Sequence, residues 1–355
     1  MKRIAVKEIK GDEVLKREPF YDFLKSIFMI FVFFHHFYLT LNLGSYENDY
    51  FKYFNPFAEL FVGLAGFMIG YVFLYRNKDP HYFQRGLKIL GSYYLVAVPI
   101  AFVVAIVQGE YLLGYLLNVF LLNQNITYVG ILKFYGVLFL LLPFILILYK
   151  KSIRLTLLLS LVVFTVSTWG FNQFDFQMPF LTYTFITVLQ WQLFFVVGIW
   201  IGDLHKRKKI NYPSVFKWSL LTSALALFVQ IKFVGGMPDE KVPYHFSKIL
   251  NTVYLVPVYL YFFRWVYGRL KDTFMDRTIR TIGRNSLKAF VLSEFIRFFV
   301  LEFPVQILNI ELNVLEDNVI SIGFAVLLVF VIAALDRIKL QPLSSKIIFH
   351  NEGRG

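Results

Sequence analysis

The sequence contains no cysteine, and this absence excludes several kinds of site. Without cysteine there is no disulfide framework, no thiolate ligand for a metal ion and no cysteine nucleophile. Charged residues are also scarce, since they make up 17% of the 355 residues, whereas 57% of the residues are hydrophobic. A soluble domain of this length does not normally contain so large a fraction of apolar residues. The composition therefore predicts an integral membrane protein.

Long apolar runs recur along the chain and predict about ten transmembrane helices. A helix needs about 20 apolar residues to cross a hydrocarbon layer about 30 Å thick. The stretch 111–122 is apolar but too short, so we expect it to form an interfacial or re-entrant helix. The ten predicted spans lie near residues 20–42, 57–75, 87–107, 131–149, 153–171, 183–202, 215–234, 248–268, 286–304 and 318–336.

Basic residues are concentrated in the segments that separate alternate spans. Six such segments hold 29 of the 36 Lys and Arg residues, and the positive-inside rule places them, with both termini, in the cytoplasm. The prediction is an all-α polytopic membrane protein with one transmembrane domain at 20–337 and cytoplasmic tails at 1–19 and 338–355. The charged first tail does not resemble a signal peptide. The run "HKRKKI" is interpreted as a cytoplasmic anchor, and we expect no nucleic-acid partner.

The first span, which contains "FLKSIFMIFVFFHHFYL", carries ionisable groups that a membrane helix normally excludes. Lys25 and His36 are almost three helical turns apart, so they point to the same side, with Asp22 nearby and a rise of about 16 Å between them. His35 points about 100° away from His36. Snorkelling to the cytoplasmic interface could explain Lys25, and an interhelical hydrogen bond could explain a histidine. The shared face favours a functional role for His36.

The second span carries a carboxylate, Glu59, on the same face as the pair Gly66 and Gly70. Small residues at this spacing let helix backbones approach closely, so Glu59 is predicted to lie on the packed side. Its depth resembles that of His36, and it is a candidate to orient the imidazole and stabilise its cation. The alternative is that Glu59 merely lies near the outer interface.

Two basic residues, Arg85 and Lys88, open the third span in "YFQRGLKIL". Both can donate hydrogen bonds to anions, so they could clamp the phosphate groups of a substrate. They could equally be anchors of the kind that the positive-inside rule describes. The sequence leaves both interpretations open.

Further polar side chains lie in the sixth and ninth spans. Trp191 could stack on a sugar ring, with Gln192 beside it, although a tryptophan that packs in the interior is commoner. Ser286 and Glu294 could line the path of an acceptor. Alternatively, Glu294 and Arg297 form an i,i+3 pair that holds helices together.

The order of these motifs resembles the membrane acyltransferase-3 superfamily. The resemblance rests on Lys25 followed after ten residues by His36, then on "ELFVGLAGF" and "QRGLK". Within that superfamily the chain is similar to the OpgC-like glucan succinyltransferase branch, over roughly residues 17–300. The segments that carry this similarity are "REPFYDFLKSIF", "ILKFYGVLFLLLPFILIL", "WQLFFVVGIWIGD" and "IGRNSLKAFVL".

Four positions depart from the family pattern. Lysine stands at positions 25 and 88, where the family has arginine, and it lacks the bidentate fork of arginine. His35 stands where the branch often has an acid, and Ala65 replaces the serine of the family's "SGF" segment. These departures bear on which acyl donor the chain uses.

The resemblance implies transfer of an acyl group, succinyl or acetyl, from cytoplasmic acyl-CoA to a hydroxyl of an extracytoplasmic glycan or glycolipid. It implies the inner membrane of a bacterium, no permanently bound cofactor and no metal. The lipid bilayer is the one other partner that the sequence predicts. The predicted site residues are His36, Glu59 and His35 for catalysis, Lys25, Arg85, Lys88 and Asp22 for acyl-CoA, and Trp191, Gln192, Ser286 and Glu294 for the acceptor.

The chemistry suits a neutral imidazole, which can take a proton from a sugar hydroxyl near neutral pH. Direct attack by the hydroxyl and a relay through an acyl-histidine both fit the sequence. The competing class is a secondary transporter or a flippase, which also needs buried charges near the midplane. Pro99 and Pro143 could break spans for such a function, but no inverted repeat is present. A non-catalytic scaffold would not need Lys25, His36 and Glu59 together.

Overall fold

The computed structural model describes residues 18–41, 57–74, 81–123, 129–173, 182–208, 212–229, 232, 246–308 and 314–339. Every regular element in these ranges is helical, as the sequence predicts. Most of the two predicted tails and the predicted outer loop at 43–56 lie outside the described residues, so their placement stays a prediction.

The α-helices are numbered here in chain order. Two of them, α2 and α11, continue directly into short π-helices, at Ile69–Phe73 and Arg297–Glu302. The bounds are α1 Pro19–Leu41, α2 Phe57–Met68, α3 Tyr82–Gln108, α4 Leu112–Phe120, α5 Gly130–Lys151, α6 Ile153–Gln173, α7 Thr182–Lys206, α8 Tyr212–Val229, α9 Phe246–Leu270, α10 Phe274–Arg284, α11 Ser286–Ile296, α12 Phe303–Leu308 and α13 Val314–Lys339.

Several helices of the described chain are long and apolar enough to cross a membrane. By length and composition five segments qualify, and two shorter apolar ones accompany them, at Phe57–Phe73 and Ile153–Trp169. All seven coincide with predicted spans, whereas the full number of ten stays a prediction. The five longer segments are Pro19–Tyr38, Tyr82–Gln108, Gly130–Lys151, Phe185–Lys206 and Val319–Asp336.

Two segments of the described chain form helices that are not predicted to span. The predicted interfacial stretch 111–122 contains α4, whose nine residues cover only about 14 Å, too little for a bilayer. The basic segment 264–288, one of the six that separate predicted spans, contains α10. The Thr273 hydroxyl accepts a hydrogen bond from the Asp276 backbone N–H and caps the start of α10. This cap is a common signal for the start of a helix.

The first helix lies at the centre of the fold, because α1 contacts α2, α9, α10, α11, α13 and the second π-helix. Its large apolar side chains Phe23, Phe28, Phe33 and Phe37 are all buried. The phenylalanine-rich sequence of α1 therefore serves helix packing on several sides. Asp22 and Ser26 of α1 are buried in this environment, and Lys25 and His36 are half-buried in it.

Contacts along α1 define the directions of its neighbours. Tyr21, near the start of α1, meets Tyr71 beyond the end of α2, and Phe31 stacks on Phe57 at the start of α2. The two helices are therefore antiparallel. By contrast, the segment from the end of α10 through α11 follows the direction of α1, because Gly283 meets Ser26 and Glu294 meets His36.

Glycines bring α2 and α7 into direct backbone contact. A methyl group on Gly66 would lie 2.0 Å from the carbonyl oxygen of Phe195, and one on Gly70 would lie 2.0 Å from that of Ile199. Because both partners advance together along the chain, α2 and α7 run parallel. These directions match a chain in which successive predicted spans alternate in direction and α4 does not cross the membrane.

Candidate active site

The centre of the candidate site is a hydrogen bond between His36 on α1 and Glu294 on α11. The Nδ1 atom of His36 lies 2.7 Å from Oε1 of Glu294, and the His36 side chain is 13% exposed. Glu294 itself is fully buried. The ring of Phe290, one turn before Glu294, meets the imidazole edge to face at 6.0 Å. Packing and hydrogen bonding together fix the orientation of the His36 ring.

The second oxygen of Glu294 is held by an arginine. Oε2 of Glu294 accepts a hydrogen bond of 2.7 Å from Nε of Arg297, which is 1% exposed. A second nitrogen of Arg297 donates to Glu302. The four side chains His36, Glu294, Arg297 and Glu302 thus form one continuous network, which we call the charge network.

This arrangement defines which nitrogen of His36 is reactive. A carboxylate only accepts hydrogen bonds, so the hydrogen shared with Glu294 belongs to Nδ1 of His36. The neutral imidazole then has its lone pair on Nε2, where it can act as a base or as a nucleophile. Glu294 stabilises the cation that forms when Nε2 takes a proton. Among the described residues, no group of three or more His, Asp or Glu side chains could hold a metal ion.

Glu59, which the sequence makes one candidate to orient His36, is not the carboxylate that contacts the His36 ring. It is buried, but it forms no hydrogen bond or ion pair with His36, and its Oε2 has no hydrogen-bond partner among the described residues. Its face of α2 is the glycine face that packs on α7. The carboxylate that meets His36 is Glu294, which the sequence analysis assigns to the acceptor. The wider catalytic role expected of Glu59 stays a prediction.

The polar groups at the start of α1 lie three turns from His36. Lys25 is half-buried, with Nζ 5.7 Å from the centre of the Phe61 ring. Asp22 is buried, and its carboxylate lies 3.8 Å from Nε of Arg284. Asp22 and Lys25 both lie in the first two turns of α1, and whether they bind a donor stays a prediction. The ring of His35 lies 6.4 Å from that of His36, at an angle of 46°.

The two basic residues of α3 are both exposed. The Arg85 guanidinium lies 5.1 Å from the centre of the Phe73 ring, at the end of the first π-helix. Phe73 and the start of α1 are at the same end of the bundle, since Tyr71 contacts Tyr21. Arg85 and Lys88 are thus available to an anion at that end, and whether they bind one stays a prediction.

The predicted acceptor residues other than Glu294 lie away from His36. Trp191 is buried with its ring 5.6 Å from Phe134. Gln192 donates to the backbone carbonyl of Ser160, which joins α7 to α6. Ser286 starts α11, eight residues or about 12 Å before Glu294. The contacts of Trp191 and Gln192 favour the packing interpretation, and the acceptor roles stay predictions.

A second polar cluster, at the start of α1, is absent from the sequence analysis. The Tyr71 hydroxyl donates to Glu18, and the Tyr21 hydroxyl lies 3.2 Å from Nε2 of His205. The rings of Tyr71 and His205 are 4.9 Å apart. These residues come from three separate helices, so no single motif could predict them. Glu302 is also not among the predicted site residues, because its contact with Arg297 depends on the π-helix Arg297–Glu302.

Comparison with known proteins identifies one family. A family model described as "OpgC protein" matches residues 108–340, which is more than half of the chain. The matched part contains Glu294, Arg297 and Glu302, whereas His36 lies before it. No curated protein and no solved structure matches the chain.

Proposed function

The chain belongs to the OpgC protein family, and from this membership and the His36–Glu294 pair we propose that it is a membrane O-acyltransferase. The family suggests a membrane transferase of the glucan succinyltransferase type. The proposal goes further: the donor is cytoplasmic acyl-CoA, the acyl group is succinyl or acetyl, and the acceptor is a hydroxyl of an extracytoplasmic glycan. Ten spans, cytoplasmic termini and a bacterial inner membrane complete it.

The proposed reaction places the proton transfer on Nε2 of His36. The hydroxyl oxygen of the glycan forms an ester bond with the acyl carbon, and the bond from that carbon to the CoA sulfur breaks. His36 takes the hydroxyl proton and returns a proton to the leaving thiolate, so the enzyme ends unchanged. In the relay variant, Nε2 first attacks the acyl carbon and displaces the CoA thiolate; the glycan hydroxyl then attacks the same carbon, and its proton passes to the released Nε2 and on to the thiolate. Glu294 stabilises the positive charge on the ring in both routes.

The length of α1 suits a long donor. Acyl-CoA has anionic phosphates at one end and a thioester at the other. Lys25, Arg85 and Lys88 would meet the phosphates at the cytoplasmic end, with Asp22 nearby, and His36 lies about 16 Å further along α1. Acyl-CoA acts here as a co-substrate and not as a bound cofactor.

The experiment that tests the proposal is acyl transfer in inverted membrane vesicles. Labelled succinyl-CoA or acetyl-CoA is added outside the vesicles, a glucan acceptor is enclosed, and labelled ester is measured. We expect His36→Ala to lose at least about 10²-fold in turnover, because removal of a general base typically costs that much. His35→Ala is the matched control and should lose less. Turnover near the wild-type value in His36→Ala would refute the proposed role.

The same vesicle assay distinguishes an acyltransferase from a transporter or flippase. A transporter or flippase would move a labelled sugar or lipid across the membrane without acyl-CoA and without forming an ester. Covalent label on the glycan that depends on acyl-CoA excludes that alternative as the explanation of activity. Translocation without any ester would overturn the acyltransferase proposal.

A further inference from the structure

The π-helix after α11 brings together two residues that an α-helix would separate. Arg297 is its first residue and Glu302 its last. In an α-helix, residues five apart point about 140° away from each other. In a π-helix, hydrogen bonds join residues five apart, so these residues lie one turn above each other. The Phe303 N–H donates to the Phe298 carbonyl in this register, which places Glu302 on the side of Arg297.

The resulting ion pairs do not hold two helices together. Glu294, Arg297 and Glu302 all belong to the continuous helical segment formed by α11 and the π-helix. Only His36 belongs to a different helix, and it contacts Glu294 alone among these three. Buried ion pairs cost desolvation free energy, and the pairs among Glu294, Arg297 and Glu302 all lie within a single helical segment. What the pairs do achieve is to fix the carboxylate of Glu294.

Arginine suits this position because its donors point in several fixed directions. Nε of Arg297 holds Glu294, while a terminal nitrogen of the same group holds Glu302. A lysine carries one compact charge and cannot hold both carboxylates with the same fixed geometry. Glu302 therefore restrains Arg297, and Arg297 restrains Glu294.

The balance of charge in the network also favours the reaction. With His36 neutral, the two carboxylates and one guanidinium leave one net negative charge. When His36 takes a proton or an acyl group, that charge is neutralised. Preorganised charge of this kind lowers the free energy of the transition state more than that of the ground state. Glu302 supplies the excess negative charge, although it does not touch His36.

We infer that Arg297 and Glu302 are positioning residues, which act through Glu294 to hold the imidazole of His36 in its reactive tautomer. The π-helix makes this arrangement possible because it places Glu302 beside Arg297. The expected effect on turnover rests on the proposed function. The expected effect on the tautomer of His36 does not, because the tautomer can be measured without a substrate.

The variants to compare are Arg297→Gln, Arg297→Lys, Glu302→Gln and Glu302→Asp. We expect Glu302→Gln and Arg297→Gln to lower kcat by about 10- to 100-fold, as loss of an outer partner of an oriented histidine typically does. The KM for acyl-CoA should stay within about 2-fold of wild type, because the donor's anionic end is about 16 Å away. Glu302→Asp should retain more activity than Glu302→Gln because it keeps the charge. Arg297→Lys should not restore kcat. Lys288→Gln, which neutralises an exposed charge on α11, is the matched control.

The second readout is the tautomer of His36, measured by NMR of protein labelled with ¹⁵N-histidine in lipid. The His36 signal is assigned by its loss in His36→Gln. In the wild type we expect a proton on Nδ1 and none on Nε2, and in Glu302→Gln and Arg297→Gln we expect mixed tautomers. If Arg297→Gln does not fold, the two Glu302 variants decide the question.

The outcomes separate this inference from the proposed function. Wild-type tautomer and wild-type kcat in Glu302→Gln would overturn the inference. A tautomer that responds to Glu302→Gln in a protein without any acyl transfer would keep the network and reject the acyltransferase. Transfer that is lost in His36→Ala but unchanged in every Arg297 and Glu302 variant would keep the acyltransferase proposal and reject the role of the charge network.

Discussion

Among single side chains, Glu294 is the one whose contacts differ most from those the sequence predicts. Its carboxylate joins His36 to Arg297, both at 2.7 Å, inside the protein. Glu294→Gln keeps the size of the side chain but removes the charge that stabilises the imidazolium. We expect turnover to fall by roughly 10²-fold or more, since an orienting carboxylate in a triad contributes at least that much.

Glu59→Gln is the matched control, because Glu59 is an equally buried carboxylate that does not contact His36. We expect its loss of turnover to be clearly smaller in the same vesicle assay, with both proteins quantified by fluorescence in detergent. A larger loss in Glu59→Gln than in Glu294→Gln would restore the orienting role that the sequence assigns to Glu59.

Arg85 and Lys88 allow binding to be tested apart from chemistry. If they contact the donor, Arg85→Gln or Lys88→Gln removes a charge-assisted hydrogen bond of about 1.5–3 kcal/mol, which raises the Kd for acyl-CoA roughly 10- to 100-fold. Lys151→Gln, an exposed lysine on α5, should leave the Kd unchanged. Calorimetric titration with a non-hydrolysable acyl-CoA measures all three. Wild-type Kd values throughout would make Arg85 and Lys88 topological anchors only.

Among the helices, the contact of α2 with α7 is the one most sensitive to a small change. Gly66→Ala would place a methyl group 2.0 Å from a backbone carbonyl of Phe195, so the helices must separate. We expect destabilisation of about 1–3 kcal/mol, as for other overpacked sites. Gly91→Ala, on α3, meets nothing within 4 Å and should be neutral or slightly stabilising. Thermal melting in detergent compares them, and equal melting temperatures would contradict this close packing.

The helices also show which features a sequence can reveal. The glycine spacing of α2 predicts a packed face, and the structure has one, because glycine spacing reports directly on helix periodicity. The pairing of Arg297 with Glu302 could not be predicted, because it depends on a π-helix that has no clear sequence pattern. The pairing of His36 with Glu294 joins two helices about 260 positions apart, and sequence spacing says nothing about such contacts. Depth in the membrane makes Glu59 a candidate partner for His36, and nothing in the sequence points to Glu294 in that role.

For the molecule as a whole, the directions of the helices constrain the topology. The first and ninth predicted spans run parallel, as do the second and sixth, and the first two are antiparallel. If α4 crossed the membrane, the second and sixth predicted spans would point in opposite directions. The packing and the distribution of basic residues therefore support the same arrangement, although they are independent observations.

This arrangement predicts which segments face the cytoplasm. Glu110, just after α3, should lie outside the cell, whereas Lys271, just after α9, should lie inside. Both residues are exposed, and the chain has no cysteine of its own, so Glu110→Cys and Lys271→Cys each introduce a single thiol. An impermeant maleimide should label Glu110→Cys in intact cells and should label Lys271→Cys only after permeabilisation. Labelling of both thiols in intact cells, or the opposite pattern, would reject the topology and with it the cytoplasmic donor, because the basic end of α1 would then face the wrong compartment for acyl-CoA.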